Sequence, residues 1–166
     1  NPENKSIVVL NQLYPVGKYG HYASYFEDEV KTITVQRDPR DIYIAAKKIN
    51  TTYSSWIPTS NVNDFITYFK LINKRDIMNE PNELIIYFED LIYKYAETSQ
   101  KIDDFLGIKS PKIKKYFNAE RSIDNTQLFL KYTEYSEDII KIEKELHEFL
   151  YDYSNIKKRP QWLNSF

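Results

Sequence analysis

Lys31-Thr-Ile-Thr-Val-Gln36-Arg37-Asp38-Pro39-Arg40-Asp41-Ile42-Tyr43 is the stretch whose reading decides the fold. Residues 31–36 alternate and are rich in β-branched side chains, the pattern of a strand. Asp38 then offers a capping carboxylate, and Pro39 suits a first helical turn. Ile42, Ala45, Ala46 and Ile49 recur at helical spacing and give that helix an apolar face. Arg37 stands at the junction. Ligands of open parallel sheets gather beyond the carboxyl ends of the strands. A helix N-terminus aims free N–H groups at the same place, and a guanidinium offers paired donors to a phosphate. Arg40 can add a second cation from the first turn. An ordinary ion-pair cluster, Arg37 or Arg40 with Asp38 or Asp41, accounts for the same charges.

Working outward, residues 6–10 read as a buried strand, residues 11–20 as a loop with Pro15, Gly17 and Gly20, and residues 21–28 as a short helix. Downstream, Asn61 caps a helix whose apolar positions are Val62, Phe65, Ile66, Phe69 and Ile72. Residues 83–88 form another strand. Glu89 and Asp90 suit the start of a following helix and are read as nothing more. That helix carries Leu91, Tyr95, Ile102, Phe105 and Leu106 and stops at Gly107. Residues 110–133 are irregular. Ser136 caps a last long helix with the stripe Ile139, Ile142, Leu146, Phe149 and Tyr153. Strands alternating with helices imply an α/β fold with a mainly parallel sheet and a helix-rich C-terminal half. Residues 1–166 read as a single domain. Its strands are few for such a sheet, so part of the domain is expected to be absent.

Composition narrows the function. Hydrophobic residues are 42% and charged residues 28% of 166, which is globular. A net charge of −1 gives no field for nucleic acid. There is no cysteine, so disulfides and thiolate chemistry are excluded, and a reducing, cytoplasmic location is the expectation. No apolar run is long enough to span a bilayer. The three glycines, Gly17, Gly20 and Gly107, build no phosphate-cradling loop of the Gly-rich type. Two isolated histidines, His21 and His147, argue against a metal site.

Three segments, in order, resemble the family of sulfotransferases that use 3′-phosphoadenosine-5′-phosphosulfate. The segment from Val35 to Ile42 resembles the one that binds the donor's 3′-phosphate, and the resemblance implies that Arg37 contacts that phosphate. The family usually has a serine where Ala45 stands. Leu84-Ile-Ile-Tyr-Phe88-Glu-Asp-Leu91, with Ile102-Asp-Asp-Phe105-Leu-Gly107, resembles the family's strand, aromatic-Glu-Asp-Leu turn and helix. The resemblance implies that Phe88 lies near the adenine. Tyr116-Phe117-Asn-Ala-Glu-Arg121-Ser122-Ile-Asp-Asn125 resembles a late donor-binding loop and implies donors at Arg121, Ser122 and Asn125. Taken alone, Ser and Asn are ordinary turn residues.

The resemblance implies an incomplete parallel-sheet fold of the P-loop type, the C-terminal portion of a sulfotransferase domain. It implies a sulfuryl transfer to a hydroxyl or amine of a carbohydrate or small-molecule acceptor, without metal. The family's N-terminal loop, which supplies the 5′-phosphosulfate grip and a catalytic lysine, has no counterpart in these residues. The chain alone is therefore expected to be inactive. A histidine common in the family after the first strand is replaced by Asn11-Gln12-Leu13, which leaves His21 as the candidate base. Arg40 joins the cofactor-binding set. Alternatives are a catalytically degenerate binding module of the same fold, favoured by Ala45 and Asn11-Gln12, and a kinase-like enzyme sharing the element by convergence. The acceptor is not legible: Trp56 and Tyr53 can stack on a sugar or cover the core.

Overall fold

The computed structural model describes residue 9 and residues 23–49, 56–74, 81–109, 119–154 and 156. Its elements are β1 (Thr32–Gln36), α1 (Pro39–Ile49), α2 (Val62–Ile72), β2 (Glu83–Tyr87), α3 (Phe88–Tyr93), α4 (Tyr95–Leu106), α5 (Ala119–Ser122), α6 (Leu128–Lys131) and α7 (Ser136–Glu145). Short 3-10 turns lie at Ala23–Tyr25, Ile123–Asn125, Thr133–Tyr135 and His147–Phe149. The chain is α/β, with a small parallel sheet and a helix-rich second half.

β1 and β2 pair in parallel, with Thr32 opposite Glu83 and Gln36 opposite Tyr87. Parallel neighbours need a crossover, and α1 and α2 provide it. The level register brings both strands to their carboxyl ends together, and a helix starts within a few residues of each. Val9 is 87% exposed and lies in no strand, so the strand expected over residues 6–10 is corrected at that position. Among the described residues no third strand is present to cover it; the rest of that stretch lies outside them.

The core is helical. Tyr43 and Ile44 of α1 pack with Val62, Phe65, Ile66 and Phe69 of α2, Leu128 of α6, and Ile139, Ile142 and Leu146 at α7. Asn61 starts α2 as expected: its side chain accepts a hydrogen bond from the Asn63 N–H at 2.8 Å. Ile72, at the frayed end of the same stripe, is 38% exposed. No described helix is long and apolar enough to cross a membrane.

Helix boundaries differ from expectation in several places. Ser136 opens α7 without capping it, because Tyr135 is the N-cap and no side chain bonds there. Of the helix expected over residues 21–28, the described residues show only the 3-10 turn Ala23–Tyr25. The helix expected after β2 is broken at Lys94, whose backbone (φ −129°, ψ 40°) leaves the helical region. Thr98 repairs the break by donating its hydroxyl to the Asp90 carbonyl at 3.1 Å. α4 then ends at Gly107, which adopts the left-handed conformation (φ 68°) that glycine accepts without strain. α7 stops at Glu145, short of the full stripe. Beyond it, Phe149 still packs on Phe69 at 5.4 Å, but Tyr151 and Tyr153 turn to buried carboxylates, which pull the chain out of helical register.

Candidate functional site

The register of the sheet builds the site. Because Gln36 faces Tyr87, the next residues, Arg37 and Phe88, leave the sheet side by side. The Arg37 guanidinium lies 5.3 Å from the centre of the Phe88 ring. Its Nη2 donates to the Asn125 backbone carbonyl at 2.6 Å. Its Nε is buried and has no hydrogen-bond partner among the described residues. No ion pair joins Arg37 to a described carboxylate. Three segments far apart in sequence, at 37, 88 and 125, thus converge on one cation.

Arg40 has a different part. Its guanidinium grips Asp38, with Nη2 to Oδ2 at 2.6 Å and Nε to Oδ1 at 3.0 Å. Nη1 donates to Glu143 at 2.8 Å, and the group stacks 3.9 Å from the Phe129 ring. Those hydrogen bonds and charges hold Arg40 above its ordinary pKa although burial opposes its charge. The donors that Arg40 was expected to offer a phosphate are engaged in this buried ion pair. Of the four residues in the alternative ion-pair reading, Arg40 and Asp38 follow it.

Asp38 also caps α1 by accepting the Arg40 N–H at 2.8 Å. The sequence marks Glu89 as a helix start only, and the structure gives it more. It is fully buried, and Oε1 accepts the Asp38 N–H at 3.0 Å, tying the end of one strand to the end of the other. Oε2 is buried without a hydrogen-bond partner among the described residues. Burial raises Glu89 to about 7, against the backbone hydrogen bond from Asp38. Asp41 is fully buried as well. Burial and the neighbouring Asp38 charge raise it to about 6, while the Arg37 charge and hydrogen bonds from Tyr153 and Gln127 pull the other way. Tyr153 and Tyr151 are pushed above their ordinary values, first by burial, then by the carboxylates they meet.

The remaining expected residues divide. Asn125 reaches Arg37 through its backbone carbonyl. Ser122 is half-buried at the end of α5, and Arg121 is exposed beside it. His21, the candidate base, and Tyr53 lie outside the described residues. His147 is exposed. Trp56 is 64% exposed and meets Tyr68 edge-on at 6.0 Å, so it does not cover the core. Among the described residues no group of three or more His, Asp or Glu side chains is arranged to hold a metal ion.

An open cleft of about 630 Å³ also lies at the strand ends, lined by Gln36, Tyr87, Lys70, Asn73, Lys74 and Phe149. Much of that lining is engaged already: Lys70 pairs with Glu145 at 2.9 Å, and Asn73 donates to the Phe69 carbonyl at 3.0 Å.

Asp41 and Glu89 were missed by sequence reasoning. The one signal was a second acid inside the helix start after Asp38, a pattern that a solvated helix shares. Comparison of the chain with protein-family models, with curated proteins and with solved structures gives no match.

Proposed function

We propose that the strand-end site holds a nucleotide bearing a 3′-phosphate, and that the chain supplies this side of the donor site of a sulfotransferase. In this reading Arg37 receives the 3′-phosphate of 3′-phosphoadenosine-5′-phosphosulfate. Phe88 offers its ring to the adenine, and Arg121, Ser122 and Asn125 flank the phosphate. The reaction served is sulfuryl transfer. The acceptor oxygen or nitrogen bonds to sulfur, the sulfur–oxygen bond to the leaving phosphate breaks, and adenosine 3′,5′-bisphosphate departs with the electron pair. The acceptor's proton goes to a base, for which His21 is the candidate. Acceptors are carbohydrates or small molecules with a hydroxyl or amine. The 5′-phosphosulfate grip is assigned to no residue of this chain, so the chain by itself is expected to bind the bisphosphate without transferring sulfate.

One observation carries the reading. Arg37 forms no ion pair with a described carboxylate, though its charge is felt at Asp41, while Arg40 closes on Asp38. An arginine that only ordered the turn would take the acids beside it. Among the described residues the hydrogen bond of Arg37 goes to one neutral carbonyl, whereas a phosphate would bring an opposite charge and paired acceptors that match the guanidinium fork. A degenerate nucleotide-binding module is the second reading, favoured by Ala45 at the position where the family offers a hydroxyl.

Calorimetric titration of the full chain tests this. Adenosine 3′,5′-bisphosphate is expected to bind at least about tenfold more tightly than ADP or adenosine 5′-monophosphate, and Arg37→Ala is expected to abolish that preference. Equal affinity for bisphosphate and ADP would overturn the reading.

A further inference from the structure

Asp41 lies in the first turn of α1, a few residues after Arg37, and has no solvent contact. All its described hydrogen bonds come from elsewhere in the chain. Oδ1 accepts the Leu128 N–H at 2.7 Å, and Oδ2 accepts the Gln127 N–H at 2.8 Å and the Tyr153 hydroxyl at 3.0 Å. Gln127 is a non-glycine residue in the left-handed region (φ 53°), a conformation that needs outside support. The carboxylate supplies it by binding two successive N–H groups at the start of α6. Just before this point lies the turn Ile123–Asn125, whose last carbonyl meets Arg37. Thr126, between them, is buried and shares a 2.6 Å hydrogen bond with the Tyr93 hydroxyl.

The charges that act on Asp41 come from several elements. Asp38 stands beside it on the same turn and opposes its ionisation, whereas Arg37, Tyr153 and Gln127 favour it. Its hydrogen-bond partners, in contrast, all lie in the loop and the C-terminal segment.

We infer that Asp41 is a positioning residue of the Arg37 site. It clamps the loop at residues 123–128 to the N-terminus of α1, so that the donors of that loop and the Arg37 guanidinium keep one geometry for a phosphate that Asp41 never touches. Tyr153 is the third point of the clamp and brings the C-terminal segment to it. This inference rests on the nucleotide reading above.

Asp41→Asn keeps size and shape but removes the charge and one accepting oxygen. Asp41→Asn and Tyr153→Phe, each as the full chain, are compared with the unaltered protein by circular dichroism, by hydrogen exchange at the Gln127 and Leu128 amides, and by titration. In Asp41→Asn, with helical content retained, both amides are expected to exchange roughly tenfold faster or more. The preference for adenosine 3′,5′-bisphosphate over adenosine 5′-monophosphate is expected to fall about tenfold, the scale of one misplaced hydrogen bond to a charged group. Affinity for the monophosphate is expected to hold, which a general loss of structure would not allow. Tyr153→Phe is expected to show the same changes at about a few-fold, and it decides the matter if Asp41→Asn does not fold. Unchanged exchange, or faster exchange with the preference intact, overturns the clamp. If the unaltered chain shows no preference for the bisphosphate, the nucleotide reading falls. The clamp is then judged by exchange together with the Arg37 Nε–H resonance, and a resonance unmoved by Asp41→Asn overturns it.

Discussion

Glu89 and Asp41 each hold a carboxyl out of water, and that burial sets how the protein responds to pH. Their folded values, about 7 and about 6, lie above the ordinary 4.5 and 3.8. The folded chain therefore keeps protons that the unfolded chain gives up. The stability these groups contribute is full below their ordinary values and is lost as pH rises through about 6 and about 7. Urea unfolding is expected to show lower stability at about pH 8 than at about pH 5, falling by up to about 1.4 kcal/mol per pH unit for each group inside its window. Exposed, paired carboxylates such as Glu134 and Glu145 are shifted downward and act only at lower pH. Glu89→Gln is expected to flatten the upper part of the slope; an unaltered slope would show that Glu89 is already ionised at neutral pH. That Arg37 stands between a strand and a helix was legible, because the alternating run before it and the helical spacing after it are local signals, whereas Phe88 and Asn125 stood out by resemblance alone. Asp41 and Glu89 were not, because what makes them unusual is burial, and the groups that bury them are far along the chain.

At the scale of elements, the turn from β1 into α1 depends on the pair of Asp38 and Arg40. Both side chains are buried, at 0% and 10% exposure. Removing one partner leaves the other as an uncompensated charge, so Arg40→Met is expected to lose about 3–5 kcal/mol in urea unfolding. A loss under about 1 kcal/mol, the range of exposed pairs, would show that the pair is solvated. Gly107→Ala meets no crowding, since a Cβ there has nothing within 4 Å. Its cost is backbone strain alone, about 1–2 kcal/mol, read as a lower melting temperature. Asn61 and Gly107 were legible because caps are local chemistry. The break at Lys94 and the early end of α7 were not. The apolar stripe runs on through Phe149 and Tyr153, yet Asp38 and Asp41 take the Tyr151 N–H and the Tyr153 hydroxyl at 3.2 and 3.0 Å. Such long-range bonds override periodicity. Gln127 hid its left-handed backbone for a related reason: no glycine marks it, and a carboxylate distant in sequence holds it.

For the whole molecule, stability is expected to reside in the packing of α1, α2, α6 and α7. The sheet adds Ile86 and Thr34 to the buried set. Phe65 and Ile142 are fully buried between those helices, so Phe65→Ala is expected to cost about 3–5 kcal/mol in urea unfolding. The α/β class and the parallel pairing followed from alternating strand and helix patterns, while the strand expected over residues 6–10 is not met at Val9, the one described residue of that stretch. The helical core stands behind the carboxyl ends of the two strands, where the Arg37 guanidinium lies beside Phe88, and the account depends on that cation being open to a phosphate. The most direct measurement is the ¹⁵N–¹H resonance of the Arg37 Nε during titration with adenosine 3′,5′-bisphosphate, with adenosine 5′-monophosphate as control. The account predicts a shift that saturates with the bisphosphate and is absent with the monophosphate. A resonance that stays in place through both titrations would contradict it.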